Sequence, residues 1–549
     1  AGLRLAERLT VDGRTLRDVP LAHVSVDGLP LLAPSPLAAA VAGEPPFEAG
    51  FAVQRVARPR AVGGDASLSV TLRERDGLQR LITWDVQYGG DRVSLRFTLP
   101  RQPGLPRLFS VQGDRSRWML PPGAAAAGDA VTGSAVIRYP HGRVALASGW
   151  GRFEPGGERL DLDGGGAHAV RAPFVSPPRS LRFGRRPCDL LTPPPGAGTD
   201  AVVRDATFST AGGLACVRLA AALHARYVLY GSGWCGDPGD SATTGLADTP
   251  DPRLTRRFAG WAGLDVAAVA RAGAPHGIGV LLTLPWETVA RRGPGLFDAY
   301  ARWGVAGVVI GRFAAHDDAT AARLAAAAAA AAARGLLLVI ADAAWHALSL
   351  GDAAGLCVIE ADPAGSPAEA CARLFSRGGL GVARACPGTA AVRGAATRPH
   401  RLALPFVMGG RLPLLFDGCA PGDRPGADTP ECALWRLLPR GGWDETRWLR
   451  GEPGEYAVVA RRTGERWFVA GINGGAARVQ TVRLEDALPA GGSWRLTLYR
   501  DACAGDDAPG GETVAESFDG IRSDDRVRLE MAAGGGYVLA LTPAARGHG

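Results

Sequence analysis

The stretch "GVVIGRFAAHDDATAARLAAAAAAAAARGLLLVIADA", residues 307 to 343, decides the fold of this chain. It opens on a short apolar run, passes through a polar turn, and enters an alanine-rich segment. A second apolar run, rich in Leu, Val and Ile, follows. Alanine is the best helix former, so the middle reads as one helix between two buried parallel strands. Runs of the same kind recur from about residue 200 to 445: "AVVR", "YVLYGSGW", "GVLLTLPW", "GVVIGRF", "LLLVIADA", "LCVIEAD", "LGVARA" and "LPLLFDG". About eight strand and helix repeats over roughly 250 residues predict a (β/α)8 TIM barrel.

On either side the pattern changes to period two. Residues 1–193 alternate apolar and polar positions between Gly, Asp and Pro turns, as in "SLSVTLRERD" and "DRVSLRFTLP". They predict an N-terminal β-sandwich, closed by the linker "LLTPPPGAGTD" at 190–200. The barrel is expected over 194–445, and a small C-terminal β-sandwich over 446–549, where "RWFVAGING" and "GYVLALTP" read as strands.

Composition excludes several classes. The 549 residues carry a formal charge of +7, and all the positive side chains are arginine. These arginines are scattered and form no basic stripe with interleaved aromatics, so a nucleic-acid surface is not indicated. No apolar run is long enough to span a membrane. The nine cysteines lie far apart without a CxxC pair, which argues against a metal ribbon and leaves one thiol outside any full set of pairs. Disulfide pairing is not readable. Ala1 is compatible with a processed mature terminus.

Several stretches resemble glycoside hydrolase family 97, a family of retaining and inverting exo-α-glycosidases. The strongest is "WDETRWLRGEPGEYAVVARRTGERWFVAG" at 443–471. In chain order it is joined by "PSPLAAAV" (34–41), "RYVLYGSGWCG" (226–236), "YARWGVAGVVIG" (300–311), "FSRGGLGVARACPG" (375–388) and "PHRLALPFVMGGRLPLLFD" (399–417). The resemblance implies the same three-part layout, a glycan substrate and a periplasmic or extracellular site.

It also implies where catalytic groups should stand, and there the chain departs. A glycosidase needs two carboxyl groups flanking the scissile bond. The family's second strand ends in an acidic "DEGW" pattern; here Tyr230, Gly231 and Ser232 precede Trp234. Retaining members carry a nucleophilic aspartate where Gly311 stands, and inverting members have glycine there. The glutamate that serves base and calcium in inverting members falls on Ala343. Glu360 matches a calcium-ligating glutamate, the general acid falls near Ser366 with Glu369 out of register, and a further calcium glutamate falls on Ser148. With one carboxylate of the set remaining, no family-type calcium site and no other cofactor is expected.

The candidate catalytic carboxylates are therefore Asp317, Asp342, Glu360 and Asp362, with Glu360 also the candidate metal ligand. Asp317 and Asp318 equally suit the N-terminus of the alanine-rich helix, and Asp362 before Pro363 suits a helix cap. Trp234 and Trp286 end strands and are candidate sugar platforms, although tryptophans at such ends also pack. Arg312 and Arg384 are candidate anion-binding groups, and His346 and His316 candidate acids or bases. Two functions follow. One is a relative without catalysis, kept for glycan binding or for building an assembly with itself or a protein partner. The other is an active inverting α-glycosidase, of α-glucosidase or α-galactosidase type, with a rebuilt metal-free site.

Overall fold

The structure is a computed structural model. It describes most of the chain; the longer stretches outside the described residues are 192–199, 235–262, 314–317, 342–355, 360–365, 377–382, 386–395, 409–413, 418–429 and 503–512. The side chains of some residues within elements, Asp318 and Arg384 among them, also lie outside it. The chain divides into two compact units, the first essentially residues 1–190 and the second essentially the remainder.

The first unit is all β. Its largest sheet has ten strands, and the strand Arg92–Leu99 shows why: Val93, Leu95, Phe97 and Leu99 are buried while the residues between them are not. Alternation of this kind directs one face of a pleated strand inward. Three further three-stranded sheets complete the unit. Its core is aromatic, with Trp84 against Phe97 at 5.5 Å, Phe97 against Phe174 at 5.9 Å and Trp118 against Phe153 at 4.9 Å. The buried Arg80 guanidinium is neutralised by Glu74, donates to the Pro45 carbonyl at 2.9 Å and lies 4.1 Å over the Phe47 ring.

The second unit opens with eight parallel strands: β1 Ala201–Asp205, β2 Tyr227–Tyr230, β3 Gly279–Pro285, β4 Gly307–Gly311, β5 Leu337–Ala341, β6 Leu356–Ile359, β7 Ala383–Ala385 and β8 Leu414–Asp417. Their order in the sheet is 6-5-4-3-2-1-8-7. This is the cyclic order expected of the barrel. The predicted closure, however, is not seen: among the described residues no ladder joins β6 to β7. These strands are four and three residues long, and undescribed stretches flank them.

Two faces of this sheet are distinct. Val202, Tyr227, Leu229, Leu281, Val309, Leu337 and Val339 form one apolar cluster on the inner face of β1–β5. The alternate residues Val203, Val228, Leu282, Val308 and Ile340 are fully buried on the other face, where the helices lie. The described helices of the unit include α1 Thr210–Ala222, α2 Val266–Gly273, α3 Trp286–Arg292, α4 Pro294–Arg302, α5 Asp318–Ala332, α6 Pro367–Ser376, α7 Arg398–Val407 and α8 Pro430–Trp435. The alanine tract is α5, as its propensity requires.

The same unit ends in antiparallel sheet. Strands β9 Glu445–Glu452, β10 Tyr456–Thr463, β11 Arg466–Asn473, β13 Trp494–Asp501, β14 Thr513–Ile521 and β16 Gly536–Pro543 pair in the order 9-10-11-16-13-14, while β12 Arg478–Arg483 pairs with β15 Arg526–Met531.

Helix α7 is the seam between the parallel and antiparallel parts. A Cβ on Gly536 would stand 2.8 Å from the His400 Cα, so only glycine lets β16 pass under the helix. Phe406 packs on Phe468 at 5.2 Å and on Trp443 at 6.0 Å. The last carbonyls of α7 have no partner inside the helix. Buried Arg461 supplies it, donating from Nη1 to Met408 O and from Nη2 to Val407 O, each at 3.1 Å. Burial pulls this guanidinium down to about 9.

Candidate active site

In parallel α/β sheets the chemistry stands at the C-terminal strand ends. At β1 the last two residues diverge. Arg204 is half-buried and in register with Leu229, a member of the inner cluster, so it belongs to the inner face. Asp205 belongs to the other face and is buried against the start of α1. Its Oδ1 accepts from the Thr207 amide at 2.7 Å and the Thr207 hydroxyl at 2.8 Å. Thr207 in turn meets Ser209 at 2.9 Å, and Ser209 caps α1 by accepting from Gly212 N. The Asp205 carboxylate thus organises a helix entry and does not face the inner mouth.

Strand β2 ends in Tyr230, fully buried, with its hydroxyl against Gly213 of α1. Burial, with Asp205 and Cys216 nearby, raises its pKa far above the phenol range, so it stays protonated. It is a packing residue behind the sheet. Trp234 is also fully buried: its indole donates to Thr283 O at 2.8 Å and its ring meets Tyr300 edge-on at 6.1 Å. Trp286, the first residue of α3, is 4% exposed, stacked on Phe313 at 5.5 Å and reached by Arg323 at 5.9 Å. Both tryptophans expected as sugar platforms are buried as the structure stands, because their rings have protein on both sides.

Strand β4 ends at Gly311, which is partly accessible. Among the described residues a Cβ there would meet only Ala341 O at 3.6 Å and Ala341 Cβ at 3.9 Å, ordinary contact distances. Those residues do not crowd the position, and beside them a side chain would fit. Arg312 follows, exposed and in the left-handed region at φ 58°. Strand β5 ends at Ala341 and β8 at Asp417, in the register of Arg204.

The carboxylate candidates Asp317, Asp342, Glu360 and Asp362, together with His346 and His316, lie outside the described residues. Asp318 is placed at the first position of α5 and Arg384 in β7, in register with Leu415, but their side chains are not described. Glu369 and Ser366 are placed fully. They form a reciprocal capping box at the start of α6, with Ser366 N donating to Glu369 Oε2 and Glu369 N to Ser366 Oγ, both at 3.2 Å. The Ser-Pro-Ala-Glu spelling of residues 366–369 was the signal for it. Ser148 is half-buried on Val144–Gly149 opposite Ser180, and offers a neutral hydroxyl. Among the described residues no three His, Cys, Asp or Glu side chains gather into a metal-binding group.

Sequence reading passed over Arg204 and Phe208. Phe208 lies in the turn after β1 at φ 49°, half-buried, and its ring edge is 3.9 Å from the position of a Cβ on Gly231. Left-handed backbone at a non-glycine residue is not legible in a sequence.

Comparison with known proteins places this geometry. Residues 442–542 match the family model described as "Glycosyl-hydrolase 97 C-terminal, oligomerisation". Over 99 residues, 18% of this chain and 14% of the relative, the chain is 35% identical to a retaining alpha-galactosidase of Bacteroides thetaiotaomicron. It is 35% identical over 118 residues to a probable retaining alpha-galactosidase of Streptomyces bingchenggensis, 17% of that protein's length. The matched stretch thus spans less than a fifth of either curated relative. In fold the likeness is nearly complete. A glycoside hydrolase family 97 enzyme from Pseudoalteromonas sp. strain K8, solved with acarbose, superposes with a TM-score of 0.75 at 14% identity, covering 96% of this chain and 97% of that one. A beta-arabinopyranosidase does so with a TM-score of 0.70 at 16% identity, covering 95% and 96%.

Proposed function

We propose, from the premise that this chain resembles the glycoside hydrolase family 97 enzymes in fold and carries their C-terminal domain, that it binds a glycan at the C-terminal mouth of the parallel sheet without hydrolysing it. In this reading the sheet closes as a (β/α)8 barrel over 194–445, between β-sandwiches at 1–193 and 446–549. The protein works outside the cytoplasm, and the C-terminal domain joins copies of the chain.

The observation that carries the reading is at β4. Among the described residues Gly311 has room for a side chain, yet no carboxylate stands there, and strand β2, two places along the sheet, ends in a buried phenol. A covalent glycosyl intermediate has no nucleophile at that position. Glu369, the carboxylate nearest the family's acid position, is engaged in its capping box. Nor do the donors fit the family's calcium. Ca2+ takes several carboxylate oxygens, and Ser148 contributes an uncharged hydroxyl in place of one of them.

A second reading is favoured by the same glycine, which inverting enzymes share. Glu360 or Asp362 would then protonate the leaving oxygen, and Asp317 or Asp342 would activate water, with the two carboxyl groups roughly 6.5–9.5 Å apart. Hydrolysis of aryl α-glucosides and α-galactosides across pH 4–8, with and without calcium, decides between them. The binding reading expects no turnover above the uncatalysed rate. Turnover abolished in Glu360→Gln, Asp362→Asn would replace it with the inverting enzyme.

A further inference from the structure

Among the described residues seven large apolar side chains stand exposed, and three of them, Leu78, Leu108 and Val175, meet along one rim of the first unit. Leu108, 61% exposed, opens the strand Leu108–Asp114 and is the cross-strand partner of Arg171. The next pair, Phe109 and Val170, faces the core, so Leu108 and Arg171 share the outer face. Beyond them the chain is tied to the loop before Leu108: Ala172 N donates to Arg107 O at 3.2 Å, and Arg101 Nε to Ala172 O at 2.9 Å. Phe174 then turns inward, while Val175, paired with Thr98, is 48% exposed. Leu78 reaches the same loop from a hairpin, its Cβ 3.1 Å from where a Cβ on Gly104 would stand.

Charge on the rim is of one sign. The segments 98–109 and 168–178 hold Arg101, Arg107 and Arg171 and neither aspartate nor glutamate. Arg107 and Arg171 are exposed, and among the described residues no carboxylate pairs with either. The acids of the flanking strands are engaged: Asp85 by Ser69 and, at 3.8 Å, by Arg96, and Glu74 by the buried Arg80. Asp76, in the hairpin, follows Arg75. Residues 1–190 carry 25 arginines against 18 acidic side chains, so the whole +7 excess of the chain lies in this part of it.

We propose that this rim docks the protein on an anionic phospholipid surface, with Leu108 and Val175 entering the headgroup layer and Arg107 and Arg171 meeting the lipid phosphates. A bilayer interface rewards this combination, because aliphatic area leaves water while guanidinium groups stay at headgroup level. Leu108 and Val175 project from the outer faces of pleated strands, which suits a broad surface better than a groove. Phe109 and Phe174 are buried, so neither ring is offered to a sugar. The proposal goes beyond the glycan-binding reading and stands without it.

Sedimentation of the full chain with vesicles tests it, one set of pure phosphatidylcholine and the other with about one-third phosphatidylglycerol. Binding is expected to be at least about tenfold stronger on the anionic set and to fade as salt rises. Arg107→Gln with Arg171→Gln should erase that preference, and Leu108→Ser with Val175→Ser should weaken binding to both sets. All four positions are exposed, so the melting curve should hold. Val479→Ser, on the C-terminal sheet and 52% exposed, should change nothing. Equal binding to the two sets, binding to neither, or an arginine variant that binds like the wild type would overturn the proposal. A hexaglutamate peptide held more tightly than the anionic vesicles would overturn it in favour of an acidic protein segment. A particle that shrinks in light scattering on the Leu108, Val175 change would overturn it in favour of a second copy of the chain.

Discussion

Mild acid should loosen this protein through one residue, His400. The imidazole sits fully buried in α7 where the helix meets β11 and β16, and its Nδ1 donates to Gly535 O at 3.1 Å. Burial pushes its pKa down to about 4, outweighing the hydrogen bonds from the ring to Gly535 and Asn473, and Arg401 adds to the depression. An unfolded histidine titrates near pH 6.5. Between those values the unfolded chain binds the extra proton, so stability is full above about pH 6.5 and falls as pH drops toward 4. At pH 5 the loss from this residue alone is about 2 kcal/mol, from the ratio of the two binding polynomials. Asp501, also at this seam, accepts from Gly536 N at 3.0 Å and is bonded by Thr397; burial raises its pKa. Its contribution has the opposite sign, present at low pH and lost as pH rises. The comparison of wild type with His400→Gln therefore isolates the histidine. Urea midpoints at pH 8, 6.5 and 5 should fall more steeply in the wild type, with the variant weaker at pH 8 and the gap closing at pH 5. Parallel pH curves would refute the reasoning.

Three further outcomes are expected. Arg461→Leu should destabilise by about 3 kcal/mol, because the orphaned carbonyls of Val407 and Met408 remain buried; Arg461→Lys should recover less than half, having one donor centre for two acceptors. Gly536→Ala should lower the melting temperature by several degrees through its 2.8 Å approach to His400, whereas Gly311→Ala should change it little. Light scattering on the full chain should give more than one protomer per particle, as the C-terminal family match leads one to expect, and a chain ended at residue 440 should lose that assembly.

The strand and helix alternation was legible because the buried parallel strands β2 to β6 are almost wholly apolar runs of four to seven residues. The junction with the C-terminal sheet was legible because "GEYAVVARRTGERWFVAG" spells two short apolar runs around a Gly-containing turn, which pair as a hairpin. What escaped was orientation. Asp205 and Arg204 are neighbours in sequence, and only the register shows one facing the helix and the other the mouth. Trp234 and Trp286 read as ligand platforms because strand ends favour that reading; their burial depends on Tyr300 and Phe313, which no local pattern brings to them.

Gly311→Asp puts the reading of the mouth to its sharpest use. Among the described residues the new Cβ meets nothing closer than 3.6 Å, so the fold should accept it. A carboxylate at a partly accessible strand end beside the exposed Arg312 is neither deeply desolvated nor alone, and the stability change should stay within about 1 kcal/mol. Restoring a nucleophile restores only half of a retaining site. Cleaving an ordinary glycosidic bond also needs an acid on the leaving oxygen, and Glu369 is held at the start of α6. A sugar with fluoride as its leaving group needs no such proton. Gly311→Asp should therefore be glycosylated once by an activated 2-fluoro-α-galactosyl fluoride, seen as a single added mass on intact protein, without turning over nitrophenyl galactosides. Wild-type protein should take no label. Labelling of the wild type elsewhere at the mouth would mean that a carboxylate already serves there, and the binding reading would give way to an enzyme.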